Sequence, residues 1–466
     1  MGLFLDKRLD VRYVGLLVAM SSRQSVILRQ CAKNRSEEVA FGRFVNNPSV
    51  TPSLMIQSAC ERTAAQSKGR DVLMICDTST VGFGINSKAK GLSEIGDGRG
   101  QGFFLHPVIS MDAHTHHCLG LASAQLYDRK QYAVDKAQRR RDRNREKLEE
   151  KESYRWYEEI EKAVSYNQGA KSQTVVADRE ADIYELLVLL TALGVDFVIR
   201  SSQNRKLKEV DHNKLQQALD AQPLQGQYSI ALPATDKRTA HTAELEVKWV
   251  TIDLARPRSG TGTKHLVDRQ KVTVIEVREK PASVVGKEKP IYWRLLTSHS
   301  IQSMDDALRI IGYYVQRWVI EQVFRTLKKK GMDVQSAQVS NAAALKNLTV
   351  LALISSIRVM QLVQARDEPQ DLGIEAGFEP KVIKVIERIN PQLEGNTEKL
   401  KNPYPPNSLS FAAWVVARLG GWSGYASQRP AGPITMWNGL RRLNEFVQAM
   451  DMLNLHSEFE GDVYIR

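Results

Sequence analysis

Two short apolar segments, each followed by an aspartate, constrain the fold of this chain most. Residues 72–76 lead into Asp77, and residues 174–177 lead into Asp178. Short apolar runs bounded in this way are typical of buried strands. An aspartate at the carboxyl end of such a strand points into the crevice where open α/β sheets bind their ligands. The sequence therefore predicts an α/β fold in which these two carboxylates lie close together.

Each aspartate also has a purely local explanation, which the sequence alone leaves open. Asp178 precedes residues 179–182, Arg-Glu-Ala-Asp, and would be a favourable cap for a helix that begins there. Asp77 would form a turn contact with Thr78 or Ser79.

A third carboxylate, Glu321, lies in residues 303–330, which we predict to form one long helix. At about 100° per residue, four polar side chains project within about 60° of one another: Tyr314, Arg317, Glu321 and Lys328. Most of the remaining circumference is apolar, so the stripe faces the protein interior or a ligand. A carboxylate beside arginine and lysine suggests a metal ligand next to phosphate contacts. The alternative is an Arg317–Glu321 ion pair on a half-exposed face.

The charge of the chain indicates a polyanionic partner. Its 466 residues carry a formal net charge of +12, with an isoelectric point near 9.4. Nucleic acid is the usual partner of a basic protein of this kind. Hydrophobic residues make up 42% of the chain and charged residues 25%, which is an ordinary composition for a globular protein. The length allows two to four domains.

The compartment expected from the sequence is a reducing cytosol. Cysteines 31, 60, 76 and 118 are widely scattered and show no metal spacing, which suits a reducing environment. No apolar run approaches the ~20 residues of a membrane span. Residues 11–20 are interpreted as a buried helix and not as a signal sequence.

The organisation of the chain follows changes in its pattern. Residues 129–164 are dense in both charges and are predicted to form a solvated helix or loop, with a DNA contact as the alternative. His114, His116 and His117 are predicted to lie in an exposed turn between two strands, residues 102–110 and 117–127, because no cysteine pair accompanies them as zinc ligands. Five regions result: residues 1–65, helical; 66–204, a first α/β part; 205–290, a β-rich insertion; 291–365, a second α/β part; and 366–466, helical.

The motifs around the three acids resemble the DDE transposases of the insertion sequence four family. That family's signature is Tyr, two residues, Arg, three residues, Glu, six residues and Lys, and the stripe described above matches it completely. Residues 76–80, Cys-Asp-Thr-Ser-Thr, resemble the first acidic motif. Residues 177–184, Ala-Asp-Arg-Glu-Ala-Asp-Ile-Tyr, resemble the second. The likeness extends from about residue 35 to residue 455.

The resemblance implies a ribonuclease H-like catalytic core with a β-rich insertion, and Mg²⁺-dependent cut-and-paste DNA transposition. Asp77, Asp178 and Glu321 would be the catalytic metal ligands, with Mn²⁺ able to substitute. A water molecule and then a DNA 3′-OH would be the nucleophiles, and the second strand would be cut by way of a DNA hairpin.

The resemblance also implies a set of DNA contacts. Residues near the transposon end would bind phosphates: Tyr314, Arg317, Lys328 and Arg325. Trp293 would stack on a base flipped out during hairpin formation, with Arg200 as a nearby contact. The alternatives are that Trp293 is a core residue and Arg200 an exposed strand-end cation.

The implied partners are double-stranded DNA, at transposon ends and at the target, and a second copy of the chain. Residues 366–466 would form the dimer of the synaptic complex. Residues 1–65 would recognise the transposon end, although the segment ahead of Phe41 is roughly twenty residues shorter than in the family. A DNA-binding or dimerising inhibitor, and a nuclease that does not join ends, are the alternative functions.

Overall fold

The protein is described here from a computed structural model. It describes residues 2–84, 87–95, 100–128, 146, 148–151, 153–208, 211, 213–234, 239–257, 265–286, 289–328, 331–366, 372–425 and 428–453. The chain divides into two compact units, each assembled from separate stretches of sequence. The helical unit consists of Met1–Lys68, Thr78–Arg129 and Val319–Arg466. The sheet unit consists of Gly69–Asp77 and Lys130–Trp318.

The described strands, in chain order, are β1 (Asp71–Cys76), β2 (Ser79–Gly82), β3 (Ser93–Ile95), β4 (Gly100–Asp112), β5 (Cys118–Tyr127), β6 (Ser172–Ala177), β7 (Asp196–Arg200), β8 (Gly226–Leu232), β9 (His241–Ala255), β10 (Arg269–Glu279) and β11 (Tyr292–Thr297). The described α-helices are α1 (Lys7–Arg23), α2 (Leu28–Cys31), α3 (Arg35–Val45), α4 (Pro52–Ser67), α5 (Tyr154–Tyr166), α6 (Tyr184–Ala192), α7 (Leu215–Asp220), α8 (Met304–Val315), α9 (Trp318–Leu327), α10 (Ala342–Ala365), α11 (Pro380–Leu393), α12 (Leu409–Leu419) and α13 (Pro433–Met452).

The sheet unit contains a mixed sheet with the strand order β1-β6-β7-β11-β10-β9-β8. Strands β1, β6 and β7 are parallel, and β11 then pairs with β7 in the antiparallel sense. The last five residues of β1 are all buried, which explains its continuous apolar sequence. The α/β class and the strands predicted before Asp77 and Asp178 are therefore confirmed.

The antiparallel part of this sheet is formed by β8, β9, β10 and β11. Strand β9 has 15 residues, and its burial alternates over most of its length, as expected when the two faces of a sheet differ in exposure. Strands β8, β9 and β10 fall within residues 205–290. This confirms the strand-rich character predicted for that segment, to which the structure adds the short helix α7.

The helical unit is organised around α10, which packs against α1, α4, α12, α13 and β5. The side chain of Asn341 caps α10 by accepting a hydrogen bond from the Ala344 amide at 2.8 Å. In the part of the chain that the structure describes, α10 is the one helix long and apolar enough to cross a membrane, and 72% of its most apolar window is buried inside the protein. The prediction concerned uninterrupted apolar runs, and Lys346 and Arg358 interrupt the run in this helix.

Two local predictions need correction. Residues 11–20 do belong to a helix, α1, but it is not fully buried, since Val11 is 72% exposed. The histidine segment does form the turn between the paired strands β4 and β5, and Asp112 fixes it by accepting from the His114 amide at 2.8 Å. His117, however, is buried and not exposed. Most of the charged segment predicted at residues 129–164 lies outside the described residues until α5 begins.

Candidate functional site

Asp77 and Asp178 follow directly after two neighbouring parallel strands of the sheet unit. The register of β1 and β6 pairs Ile75 with Val176, so the same register carried two residues further sets Asp77 opposite Asp178. The charges of both acids affect the pKa of the buried Cys76 thiol. Burial raises its pKa well above the usual value, and the charges of Asp77 and Asp178 raise it further. The sheet therefore brings these two carboxylates together, as the sequence predicts.

Asp178 also has the capping role that the sequence left open. One of its carboxylate oxygens accepts a hydrogen bond from the Glu180 amide at 2.7 Å, at the start of a single 3₁₀ turn, Arg179–Ala181. The other oxygen accepts no hydrogen bond from a residue that the structure describes. The cap fixes the orientation of the carboxylate and leaves one oxygen available for a ligand.

Asp77 forms an ion pair with Arg317, whose Nη1 lies 3.3 Å from Asp77 Oδ2. The two side chains are only 16% and 14% exposed, so the pair is shielded from water and is more strongly held than a surface pair. The hydroxyl groups of the next two residues, Thr78 and Ser79, also have hydrogen-bond partners. Thr78 Oγ1 lies 2.8 Å from His106 Nδ1, and Ser79 Oγ accepts from Lys328 Nζ at 2.8 Å.

The single helix predicted for residues 303–330 is wrong. Helix α8 ends at Val315, Gln316 and Arg317 form a turn, and α9 begins at Trp318. The amide of Arg317 donates to the carbonyl of Tyr314 at 3.0 Å, a tightened contact three residues back that ends the α-helical pattern. Nothing in the local sequence forces this break. The ion pair between Arg317 and Asp77, 240 residues away, is a tertiary interaction that the local pattern does not contain.

The four residues of the predicted stripe therefore lie in different settings. Tyr314 is buried at the end of α8, and Arg317 lies in the turn. Glu321 is half-buried in α9, and it belongs to the helical unit, whereas Tyr314 and Arg317 belong to the sheet unit. Lys328 follows the end of α9, and burial lowers the pKa of its ammonium group.

The structure also gives the burial and contacts of the other predicted DNA-binding residues, Trp293, Arg200 and Arg325. Trp293 on β11 is half-buried and meets Tyr314 edge to face, with ring centroids 5.5 Å apart. Arg200 is half-buried at the end of β7, where its guanidinium donates to the Tyr292 carbonyl at 2.9 Å, so it is not an exposed strand-end cation. Arg325 is exposed on α9.

Two features of this region were missed by the sequence reasoning. Asp182 forms a buried ion pair with Arg205, at 2.6 Å, and also accepts from the Ser202 amide at 2.7 Å. This pair fastens the turn that carries Asp178 to the loop after β7. An acid four residues after Asp178 was a signal for it, whereas Arg205 gave none. Trp318, on the apolar part of the predicted helix, is 57% exposed.

The donor set fits a hard divalent cation in part. Two carboxylates at adjacent strand ends are oxygen ligands of the kind that Mg²⁺ prefers. Among the residues that the structure describes, no three His, Cys, Asp or Glu side chains form a group that could hold a metal ion. The structure thus brings Asp77 and Asp178 together, and the convergence of Glu321 on them stays a prediction.

A family model supports the chemistry suggested by these residues. The model, described as a transposase DDE domain, matches residues 98–357, which is more than half of the chain. The match includes Asp178 and Glu321 and begins after Asp77. Enzymes with this domain generally use divalent metals. This chain belongs to the transposase DDE domain family, and it is a transposase that acts on DNA in transposition and recombination.

Proposed function

We propose that this transposase is of the insertion sequence four type, similar to the cut-and-paste transposase of transposon five, with a ribonuclease H-like catalytic core. It nicks DNA at the transposon ends, forms and resolves a hairpin, and transfers the ends to target DNA. The observation that carries this proposal is the position of Asp77 and Asp178, opposite each other after parallel strands β1 and β6. Carboxylates from distant parts of the chain, assembled by one sheet, are what metal-dependent phosphoryl transfer needs.

Asp77, Asp178 and Glu321 are proposed to hold Mg²⁺, with Mn²⁺ able to replace it. When bound, a pair of such ions activates the attacking oxygen and stabilises the leaving oxygen of an in-line displacement. The protein's own contribution is to fix the carboxylates. The cap from the Glu180 amide orients Asp178, and the Arg317 ion pair orients Asp77.

The cationic side chains are proposed to bind the DNA backbone beside the carboxylates. Arg317, Tyr314, Lys328 and Arg325 hold phosphates near the transposon end, with Arg317 exchanging part of its contact with Asp77 for a phosphate oxygen. Lys328 is already partly desolvated, so a phosphate stabilises its charged form. Trp293 stacks on the flipped base, and Tyr314 supports its indole ring from the edge. Arg200 contacts the same strand.

The proposed assembly is a homodimer on two transposon ends, formed through residues 366–466, with residues 1–65 recognising the end sequence. The proposed site of action is the bacterial cytoplasm, on the nucleoid. The apolar side chains of α12 are buried within the helical unit, so α13 supplies the apolar side chains open to a partner, such as Ile434 and Phe446.

The experiment is a gel assay with Mg²⁺ and DNA taken from the inverted repeats expected on both sides of the gene. We expect the wild-type chain to give nicks, then hairpins, then joined products on added target DNA. Three other outcomes have distinct meanings. Binding without nicks would identify an inhibitor. Cutting without joining would identify a nuclease. Cutting that bypasses the hairpin would place the enzyme with other cut-and-paste transposases.

Two variants test the assigned roles in the same assay. Glu321→Gln is expected to bind DNA as the wild type does and to lose Mg²⁺-dependent nicking, and retained nicking would exclude Glu321 as a metal ligand. Arg317→Ala is expected to weaken binding and to reduce its dependence on salt, because fewer counterions are released when a phosphate contact is lost. An unchanged salt slope would contradict the phosphate contact.

A further inference from the structure

The helical unit contains a cavity of about 330 Å³ that plays no part in the proposed chemistry. It lies among residues of α1, α4, β5, α10 and the short 3₁₀ helix Ile374–Ala376. Its lining combines apolar side chains with hydrogen-bond donors, among them Tyr13, Arg62 and Arg358.

Arg358 is half-buried and lines this cavity with a positively charged side chain. Its Nη2 donates to the Gly377 carbonyl, and its guanidinium carbon lies 4.9 Å from the centre of the Phe378 ring. Its Nε is buried and has no hydrogen-bond partner, and no carboxylate among the described residues lies within ion-pair distance. The pKa of Arg358 is lowered to about 10, mainly by burial and also by the charge of Arg62, while the charge of Glu379 opposes the shift. A buried charge in this setting is destabilising unless an ion of opposite sign joins it.

Tyr13 gives a second, independent sign of a missing partner. The residue is only 6% exposed and lines the same cavity. Arg62 lies close enough to its hydroxyl to lower the pKa, but no acceptor for the hydroxyl hydrogen lies among the described residues. Burial raises the pKa of this hydroxyl, so it stays protonated and able to donate. A buried donor without an acceptor costs free energy, and an anion in the cavity would satisfy it.

We propose that this cavity binds a small oxyanion of the phosphate class, with the half-buried Arg358, the buried Tyr13 and the exposed Arg62 as its donors. Glu375 and Glu379 also line the cavity. Their charges weaken the attraction for any anion, and the volume of about 330 Å³ suits a small ion and not a DNA strand.

The test is the thermal unfolding of the full chain in rising concentrations of inorganic phosphate, with sodium chloride adjusted to hold the ionic strength constant. We expect the midpoint to rise with phosphate, because a ligand that binds only the folded state stabilises it by mass action. Arg358→Met keeps the apolar length of the side chain without its charge, and it should abolish the rise. Arg35→Met, at a side chain that is 80% exposed, is the matched control and should retain it.

A rise of the same size in Arg358→Met and in the wild type would overturn the proposal, as would the absence of any rise in the wild type. Tyr13→Phe keeps the test valid if Arg358→Met does not fold, since it removes only a hydroxyl. Loss of one hydrogen bond should weaken phosphate binding roughly two- to tenfold. Unchanged affinity in this variant would also contradict the site.

Discussion

The parallel and antiparallel parts of the sheet unit differ in where they carry their polar groups. Strands β1, β6 and β7 have five or six residues each and buried centres, and an aspartate directly follows the carboxyl end of β1 and of β6. Strands β8 to β11 are as long as 15 residues and carry charged and aromatic side chains along their length, such as Arg278, Tyr292 and Trp293. Parallel pairing gathers charges at one edge, whereas antiparallel pairing spreads contacts over a surface.

The largest effect is expected at the parallel edge. Asp178→Asn keeps an oxygen that can cap the Glu180 amide but removes the charge, so the fold should persist while DNA nicking falls by roughly a thousandfold or more. Several kcal/mol of transition-state stabilisation would be lost with the metal ligand. Nicking rates and the midpoint of thermal unfolding measure the two effects separately. Normal nicking by this variant would remove the parallel edge from the chemistry.

The next effect concerns the ion pair that fastens this edge. Asp182→Ala leaves Arg205 buried without its carboxylate, and we expect a loss of about 3–5 kcal/mol in the free energy of unfolding, measured with urea. Asp268→Ala is the matched control, since its pair with Lys208 is exposed and should matter little. Equal destabilisation by both variants would contradict the positioning role of Asp182.

A smaller and more selective effect is expected in the antiparallel part. Trp293→Ala should slow hairpin formation roughly tenfold to a hundredfold, because stacking on a base contributes about 1–3 kcal/mol. First-strand nicking should change little. Trp293→Phe, which restores a ring, should recover part of the rate. Equal slowing of both steps would show that Trp293 acts by packing against Tyr314 and not by contacting DNA.

The smallest expected effect is on the pH dependence of stability, and it concerns His299, where the parallel and antiparallel parts of the sheet meet. Burial lowers the pKa of His299 below 6.5, and its ring contacts Thr174 of β6 at 3.1 Å. The unfolded state therefore binds a proton before the folded state does. Stability from this group is present above pH 6.5 and is lost as the pH falls through the folded pKa. In His299→Gln, the urea midpoint of unfolding should depend less on pH between pH 7 and pH 5. An unchanged dependence on pH would exclude His299 as the cause.

The sequence predicts the elements that depend on local pattern. Strands β1 and β6 were recognised because buried parallel strands are continuously apolar, and their acids follow at once. Helix α10 carries the signals by which a helix can be recognised, because Asn341 is a strong cap and the apolar run is long. The pairing of Asp77 with Asp178 follows from two strands that end at the same register.

Features that depend on distant contacts could not be predicted. The turn at Gln316 and Arg317 interrupts a sequence with good helix propensity, and its tie to Asp77 spans 240 positions. The Asp182–Arg205 pair and the cavity around Arg358 join segments that no periodicity connects. An arginine within a mostly apolar helix can be recognised in the sequence, but the lack of a carboxylate partner for its charge cannot.

The path of the chain between its two units has a consequence for how the gene can be divided. The chain passes from one unit to the other after Lys68, Asp77, Arg129 and Trp318. Two of these crossings directly flank residues of the proposed chemistry, one after Asp77 and one between Arg317 and Glu321. No uninterrupted piece of the gene encodes either unit, so truncation cannot deliver one of them alone. Libraries of gene fragments should therefore lose activity at every internal breakpoint within residues 69–318.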